Sequence, residues 1–303
     1  MMRVMLHLGA QVLLLGLLAP LLPGLITKVK AWVAGRRGPP VLQLYYDLAR
    51  LWQKSVVLSS AASPGHIAGI AVAWVATLGA ALLLPLGPWA SPVGFRGDAI
   101  LFVYLLALAR FCTTLAALET ASAFEGMGAA REVSFAVLTE AAVMAGLLAL
   151  GLQSASLSLS VMLLPAAGPA TALLVLGLFI VLLCENCRVP FDDPNTHLEL
   201  TMIHEAMVLD HSGPPLAAIL HGAALKLLLF SLLLVQIVLP AGASSPALAL
   251  AVLAGAVLVL TLLVGLTEAL IARLAFNRVP LFLTTGFLLC LFALFVAWKA
   301  GRP

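Results

Sequence analysis

The sequence predicts an all-α, polytopic membrane protein: eight transmembrane helices in a single integral membrane domain, residues 1–303, and an amphipathic helix in the first cytoplasmic loop. Three observations predict this. Hydrophobic residues make up 63% of the chain and charged residues 10%, against roughly 45–50% and about 25% in a soluble domain. Eight apolar stretches approach the roughly 20 residues that cross a bilayer, and they read as helices because an open sheet leaves its backbone unsatisfied in lipid. Prolines 20, 85, 165, 190, 214, 215, 240 and 280 fall near the ends of these stretches, where a helix stops or bends cheaply.

In chain order the expected spans are 4–26, 66–86, 98–118, 133–152, 170–187, 216–240, 247–271 and 279–298. The first, from Val4 to Ile26, lacks a small-residue cleavage site and is long enough to span, so it is expected to stay as a helix. Lys28, Lys30, Arg36, Arg37, Arg50, Lys54, Arg131, Arg188, Arg273 and Arg278 fall in the odd-numbered loops, and Arg3, Arg96, Lys299 and Arg302 on the other face. The positive-inside rule then makes the odd loops cytoplasmic and both termini external; the expected location is the cell's inner membrane. These basic residues follow loops and form no single face, so nucleic acid is not an expected partner. No loop exceeds about 40 residues, too few for a nucleotide-binding or iron–sulfur domain.

The first loop runs Arg36-Arg37-Gly-Pro-Pro and then from Leu42 to Lys54, with apolar residues at helical spacing and Tyr45, Tyr46, Trp52 and Lys54 as interfacial anchors. It serves either to lie on the lipid surface or as a ledge for a cytoplasmic partner. In the third loop, Glu119 to Glu132, Gly126 and Gly128 suggest a tight turn or a close approach. Glu140 follows Glu132 by two helical turns, about 12 Å deeper. A carboxylate there is costly unless paired; Arg110 and Lys226 are the candidate partners. On the seventh helix Glu268 is expected to pair with Arg273.

The fifth loop is the densest in charge: Glu185, Arg188, Asp192, Asp193, His197, Glu199, His204 and Glu205 crowd between two apolar runs. Such a cluster in a membrane protein marks a functional site. His197, His204 and His211 recur every seven residues, one stripe if the segment is helical throughout. That spacing sets ligands about 10 Å apart, too far for one metal ion, and His204-Glu205 lacks the second histidine of a zinc-protease motif. Cys184-x-x-Cys187 has no second pair to complete four ligands, so no metal or cofactor is expected on this chain. A relay exchanging protons fits better, because histidine titrates near neutrality and crowded carboxylates have divided pKa values. Its candidate members are Glu132, Glu140, Glu185, Asp192, Asp193, His197, Glu199, His204, Glu205 and Lys226.

Arg36-Arg37-Gly-Pro, Gln43-x-x-x-Asp47-x-x-x-Leu51-x-x-Lys54 and Glu185-x-x-Arg188-x-Pro190-Phe191-Asp192-x-Pro194 together resemble the subunit-1 family of respiratory complex I. That family includes subunit 4 of formate hydrogenlyase and the membrane subunits of related nickel–iron hydrogenases. The third loop with its Arg131-Glu132 end, and Arg278-Val-Pro280, resemble the hydrogenase branch. The resemblance implies a membrane anchor for a peripheral redox arm, coupled to proton or cation movement. It implies docking at Arg36, Arg37, Arg131 and Arg188. Family motif positions also include Glu185, Asp192 and Glu199, with Glu140 as the buried acid of the fourth helix. The implied partners are hydrogenase-like large and small subunits, an iron–sulfur subunit and antiporter-like membrane subunits. Nickel–iron and iron–sulfur centres would lie in those partners, with quinone as a further ligand. The sequence departs from the family at Asn195 and His197, where glutamates are expected, at Asp210-His211 in place of Glu-Tyr, and at Glu140-Ala141 in place of Glu-Pro. Two other readings stand beside this one: the quinone-site subunit of a complex I-like NADH dehydrogenase, and an independent ion transporter.

Overall fold

The computed structural model describes residues 2–59, 62–164, 168–192, 203–239 and 245–300, with side chains placed for all of these except 2–6 and 64. Eleven α-helices and no strand occur among the described residues. They are α1 Met2–Leu18, α2 Leu21–Val33, α3 Gln43–Trp52, α4 Pro64–Leu83, α5 Asp98–Glu119, α6 Ala123–Ser154, α7 Leu159–Met162, α8 Pro169–Glu185, α9 Gly213–Val238, α10 Pro246–Leu270 and α11 Val279–Ala300.

Seven described segments are long and apolar enough to cross a membrane: His7–Val33, Gly65–Leu83, Asp98–Glu119, Ala123–Ser154, Gly213–Val238, Pro246–Leu270 and Phe276–Ala300. The protein is a polytopic helical membrane protein. The stretch expected at 170–187 is α8, which has 17 residues and extends about 25 Å, short of the roughly 30 Å hydrocarbon core.

Two expectations need correction. The first apolar run is not one helix over 4–26. It breaks at Ala19-Pro20 and resumes as α2 to Val33, because Pro20 and Pro23 supply no N–H for the helical ladder. The fourth span begins at Ala123 rather than near 133. Gly126 and Gly128 lie inside α6, and Gly128 serves close approach: a Cβ there would stand 2.9 Å from both the Ile203 carbonyl oxygen and the Ala206 Cβ.

Helix α9 is the central post. Every residue from Leu227 to Ile237 is buried, as an all-round apolar helix must be. Helices α4 and α5 pack together, α11 packs on α6 and α8, and α2 packs on α10. Small residues set the α8–α11 distance: a Cβ on Gly177 would meet Cys290 Sγ at 2.7 Å and the Gly286 carbonyl at 3.1 Å. Between membrane helices, such close backbone approach supplies the packing that hydrophobicity cannot. Helix α3 packs on α9 and α2, burying Leu48 while Tyr46 and Trp52 remain exposed.

A candidate proton-coupling site around Arg110

The shortness of α8 positions the site. Its last residue, Glu185, ends inside the bundle with only 3% of its side chain exposed. Its carboxylate meets Lys226 Nζ at 2.7 Å, thirteen residues, or about 20 Å, into α9. The chain leaves α8 through a cap in which Cys187 takes a left-handed conformation, φ 49°. Cys187 N–H donates to the Cys184 carbonyl at 3.1 Å, and Arg188 N–H to the Leu183 carbonyl at 2.8 Å, the two bonds of a Schellman motif. Cys184-x-x-Cys187 therefore closes a helix. Burial, with Glu132 and Asp192 adding to it, pushes the Cys187 thiol well above its ordinary range, which holds it in the protonated, unreactive form.

The C-terminus of α8 carries partial negative charge of its own. Arg110, on α5, balances the excess. Its guanidinium reaches Glu140 at 2.8 Å and Glu132 at 3.2 Å, both on α6, and also Glu185. Two cations and three carboxylates from four helices thus share one site with a formal charge of −1. Its side chains are largely withdrawn from the surface apart from Glu140, 41% exposed. Removing ions from water is costly, and repayment demands this degree of mutual pairing. The site borders a cavity of about 90 Å³ whose polar lining includes Arg110, Glu132, Glu185, Asn186, His204 and Lys226. That is room enough for water.

The structure therefore brings together Glu132, Glu140, Glu185 and Lys226, with His204 on the cavity wall. Arg110, named in the sequence only as a partner for Glu140, is the hub. Its threefold role needs α5, α6 and α8 side by side, which no linear spacing displays. Glu205 opens a 3-10 turn, Glu205–Val208. Asp192 lies in a different network: it accepts Arg273 Nη2 at 2.8 Å and the Ile203 and His204 N–H groups at 3.1 and 3.3 Å. Asp193, Asn195, His197 and Glu199 lie outside the described residues.

The expected Glu268–Arg273 pair is not formed. Glu268 instead joins Lys30 at 2.9 Å and Arg188 at 3.4 Å, because α2 packs beside α10. Arg131 lies over the Phe276 ring, 5.1 Å from its centre, and donates to Met127 Sδ at 3.1 Å. Arg36 and Arg37 are exposed. The expected histidine stripe also fails over its described part: His204 faces the cavity, while His211 pairs with Glu125 at 3.3 Å.

One further histidine escaped the sequence reading. Trp74 Nε1–H donates to His221 Nδ1 at 2.9 Å, and His221 Nε2 lies 3.0 Å from the Gly16 carbonyl oxygen. An indole N–H only donates, so Nδ1 accepts, Nε2 carries the proton, and His221 is held neutral. Among the described residues no three of His, Cys, Asp and Glu are placed to hold a metal ion.

A family model described as NADH dehydrogenase matches residues 6–299. Hydrogenase-4 component C of Escherichia coli K12 is 33% identical over 276 residues, 88% of this chain and 85% of that protein. Formate hydrogenlyase subunit 4 of the same organism is 29% identical over 296 residues, 91% of this chain and 93% of that protein. A chain in the structure of the membrane-bound sulfane sulfur reductase, described as an archaeal respiratory membrane complex, superposes with a TM-score of 0.84. It is 20% identical, and the match covers 97% of this chain and 99% of that one. At that identity the likeness is one of fold.

Proposed function

The chain belongs to the NADH dehydrogenase family, that of complex I subunit 1, and from this premise we propose that it is the membrane-anchoring, ion-coupling subunit of a membrane-bound, hydrogenase-like complex. Its relatives are named as components of hydrogenase-4 and formate hydrogenlyase, which supports a subunit over a free-standing transporter. The observation that carries the coupling role is the five-residue charge cluster of Arg110, Lys226, Glu132, Glu140 and Glu185 against a cavity large enough for water.

With one carboxylate in excess of its cations, the cluster can take up one proton and become neutral. Lys226 and Arg110 hold Glu185 from two sides, so a change in either contact alters the proton affinity of the whole group. Glu140, the most exposed member, is the exit toward the next protein surface, and His204, of the acidic fifth loop, lines the cavity wall beside the cluster. The redox arm, with its nickel–iron and iron–sulfur centres, belongs to large, small and iron–sulfur partner subunits. Antiporter-like membrane subunits would receive the coupled charge. Arg36, Arg37, Arg131 and Arg188 lie on the side where the arm would dock, taken as cytoplasmic, with both termini external and α8 as an eighth, short crossing of the inner membrane.

The test is Glu185→Gln and Glu140→Gln in the assembled complex. Expected is electron transfer close to the parent's and ion translocation reduced about tenfold or more. Parental translocation in both variants would overturn the proposal.

A further inference from the structure

A second buried polar group lies beside the cavity and takes no part in the Arg110 cluster. His66, in the first turn of α4, is 2% exposed. Its Nδ1 is 2.9 Å from the Ala116 carbonyl oxygen, so Nδ1 carries the proton and Nε2 keeps a lone pair. His211, just before α9, stacks against it with ring centres 4.5 Å apart. His211 Nδ1 lies 3.3 Å from Glu125 Oε1, which also accepts the Asp210 N–H at 2.8 Å. An ionised carboxylate only accepts, so Nδ1 of His211 is protonated, and in the neutral ring Nε2 keeps a lone pair. The side chains of His211 and Glu125 are 1% and 0% exposed. Among the described residues, His211 Nε2 and Glu125 Oε2 have no hydrogen-bond partner. A buried basic nitrogen in that condition is costly, and the imidazolium formed by a proton there would be stabilised by the carboxylate at Nδ1.

We propose that His66, His211 and Glu125 form a proton-loading port for the Arg110 cavity, an inference that rests on the ion-coupling role proposed above. With both imidazoles neutral and Glu125 ionised the group carries −1. A proton taken from water by His211 Nε2 makes an imidazolium beside a carboxylate, and the group becomes neutral. The second imidazole, 4.5 Å away, cannot then charge without facing a like charge, so the stack holds one proton. The other ionisable groups on the surrounding elements are Glu119 at the end of α5, Glu132 and Arg131 on α6, Asp210 beside His211, His204 and Glu205 at the 3-10 turn, and Asp47, Arg50 and Lys54 on and beyond α3. Acids outnumber bases among them, which favours proton uptake.

The group lies between that charged rim and the cavity. Glu119 accepts a hydrogen bond from Ser63, three residues before His66. On the inner side, Ile70 stands one turn beyond His66 on α4, and Met207 four residues before His211; both line the cavity wall. His211 is also one of the positions where the chain departs from the pattern expected of its family.

The port can be tested with the whole complex in proteoliposomes, following ion translocation and electron transfer together from about pH 6 to pH 8, the range in which histidine titrates. The variants are His211→Gln, His66→Gln and Glu125→Gln, with co-purification of the partner subunits as the check on assembly. The expected result is translocation lowered about tenfold or more in His211→Gln, with loss of the parent's pH dependence over that range. Electron transfer with an artificial dye should be unchanged. His66→Gln, whose amide can still donate to Ala116, should lower the rate and shift the profile. A purely structural role would lower the amount of assembled complex without reshaping the pH profile, and that outcome would overturn the port. So would parental rates and profiles in both histidine variants. If the parent complex transfers electrons but translocates no protons, the ion-coupling reading itself fails, and the port with it.

Discussion

Arg110 is the residue on which most depends. One planar guanidinium satisfies Glu132, Glu140 and Glu185, a fork geometry that a lysine ammonium cannot reproduce. Arg110→Gln strands buried carboxylates, and removing one partner of a buried ion pair costs about 3–5 kcal/mol. Thermal unfolding of the purified complex should rank parent above Arg110→Lys, and Arg110→Lys above Arg110→Gln. At the same scale, Glu140→Gln should cost less stability than Glu185→Gln, because its side chain is 41% exposed against 3%. Equal losses in the same melting experiment would refute that ranking. Both acids and Lys226 were legible from the sequence, because charge in an apolar run announces itself. Their assembly was not: residues 110, 140 and 185 meet only through helix packing. The His66–His211–Glu125 group was hidden for the same reason, as it draws on three distant segments.

Among the elements, α8 shows most plainly how local sequence becomes a site. Its shortness, its Schellman cap and its glycine contact with α11 together fix Glu185 in depth and direction. Gly177→Leu should drive the side chain into Cys290 and the Gly286 backbone. Overpacking of this kind costs about 1–3 kcal/mol, and the loss should appear as a reduced yield of assembled complex, whereas Gly126→Ala, with nothing within 4 Å of its added Cβ, should behave as the parent. Helix existence was readable from hydropathy almost throughout, as a run of apolar residues has few alternatives in lipid. Boundaries were less so. Gly126 and Gly128 look like turn residues, yet they belong to a helix that the 203–207 segment approaches closely, and the break at Pro20 was concealed by apolar residues on both sides.

For the whole molecule, ion pairs tie separate parts of the bundle together at one end. Glu268 joins α10 to Lys30 of α2 and to Arg188, and Asp192 joins the segment after α8 to Arg273. Glu268→Gln should leave two cations under-compensated and loosen residues 186–192, at a cost of about 1–3 kcal/mol. Hydrogen–deuterium exchange should rise there and remain unchanged in the middle of α9. An unchanged exchange pattern would show that packing alone holds the segment. The sequence suggested the charge asymmetry of the molecule and a partner for Glu268, but it named Arg273, the nearest cation along the chain rather than in space.

The depth of Glu185 has an electrical consequence. A polar recess that runs from one face to the end of a short helix confines the membrane voltage to the apolar layer that remains. Carrying one elementary charge across the full bilayer against 100 mV costs about 2.3 kcal/mol. A proton that reaches Glu185 through the cavity has crossed little of that field, and the rest is met on the far side, where the one polar side chain of α9 from Leu227 to Val235 is Ser231, its hydroxyl bonded back to the Leu227 carbonyl. If the cluster couples ion movement as proposed, a route that leaves it sideways into neighbouring subunits would place the voltage sensitivity of transport in the assembly rather than in this chain.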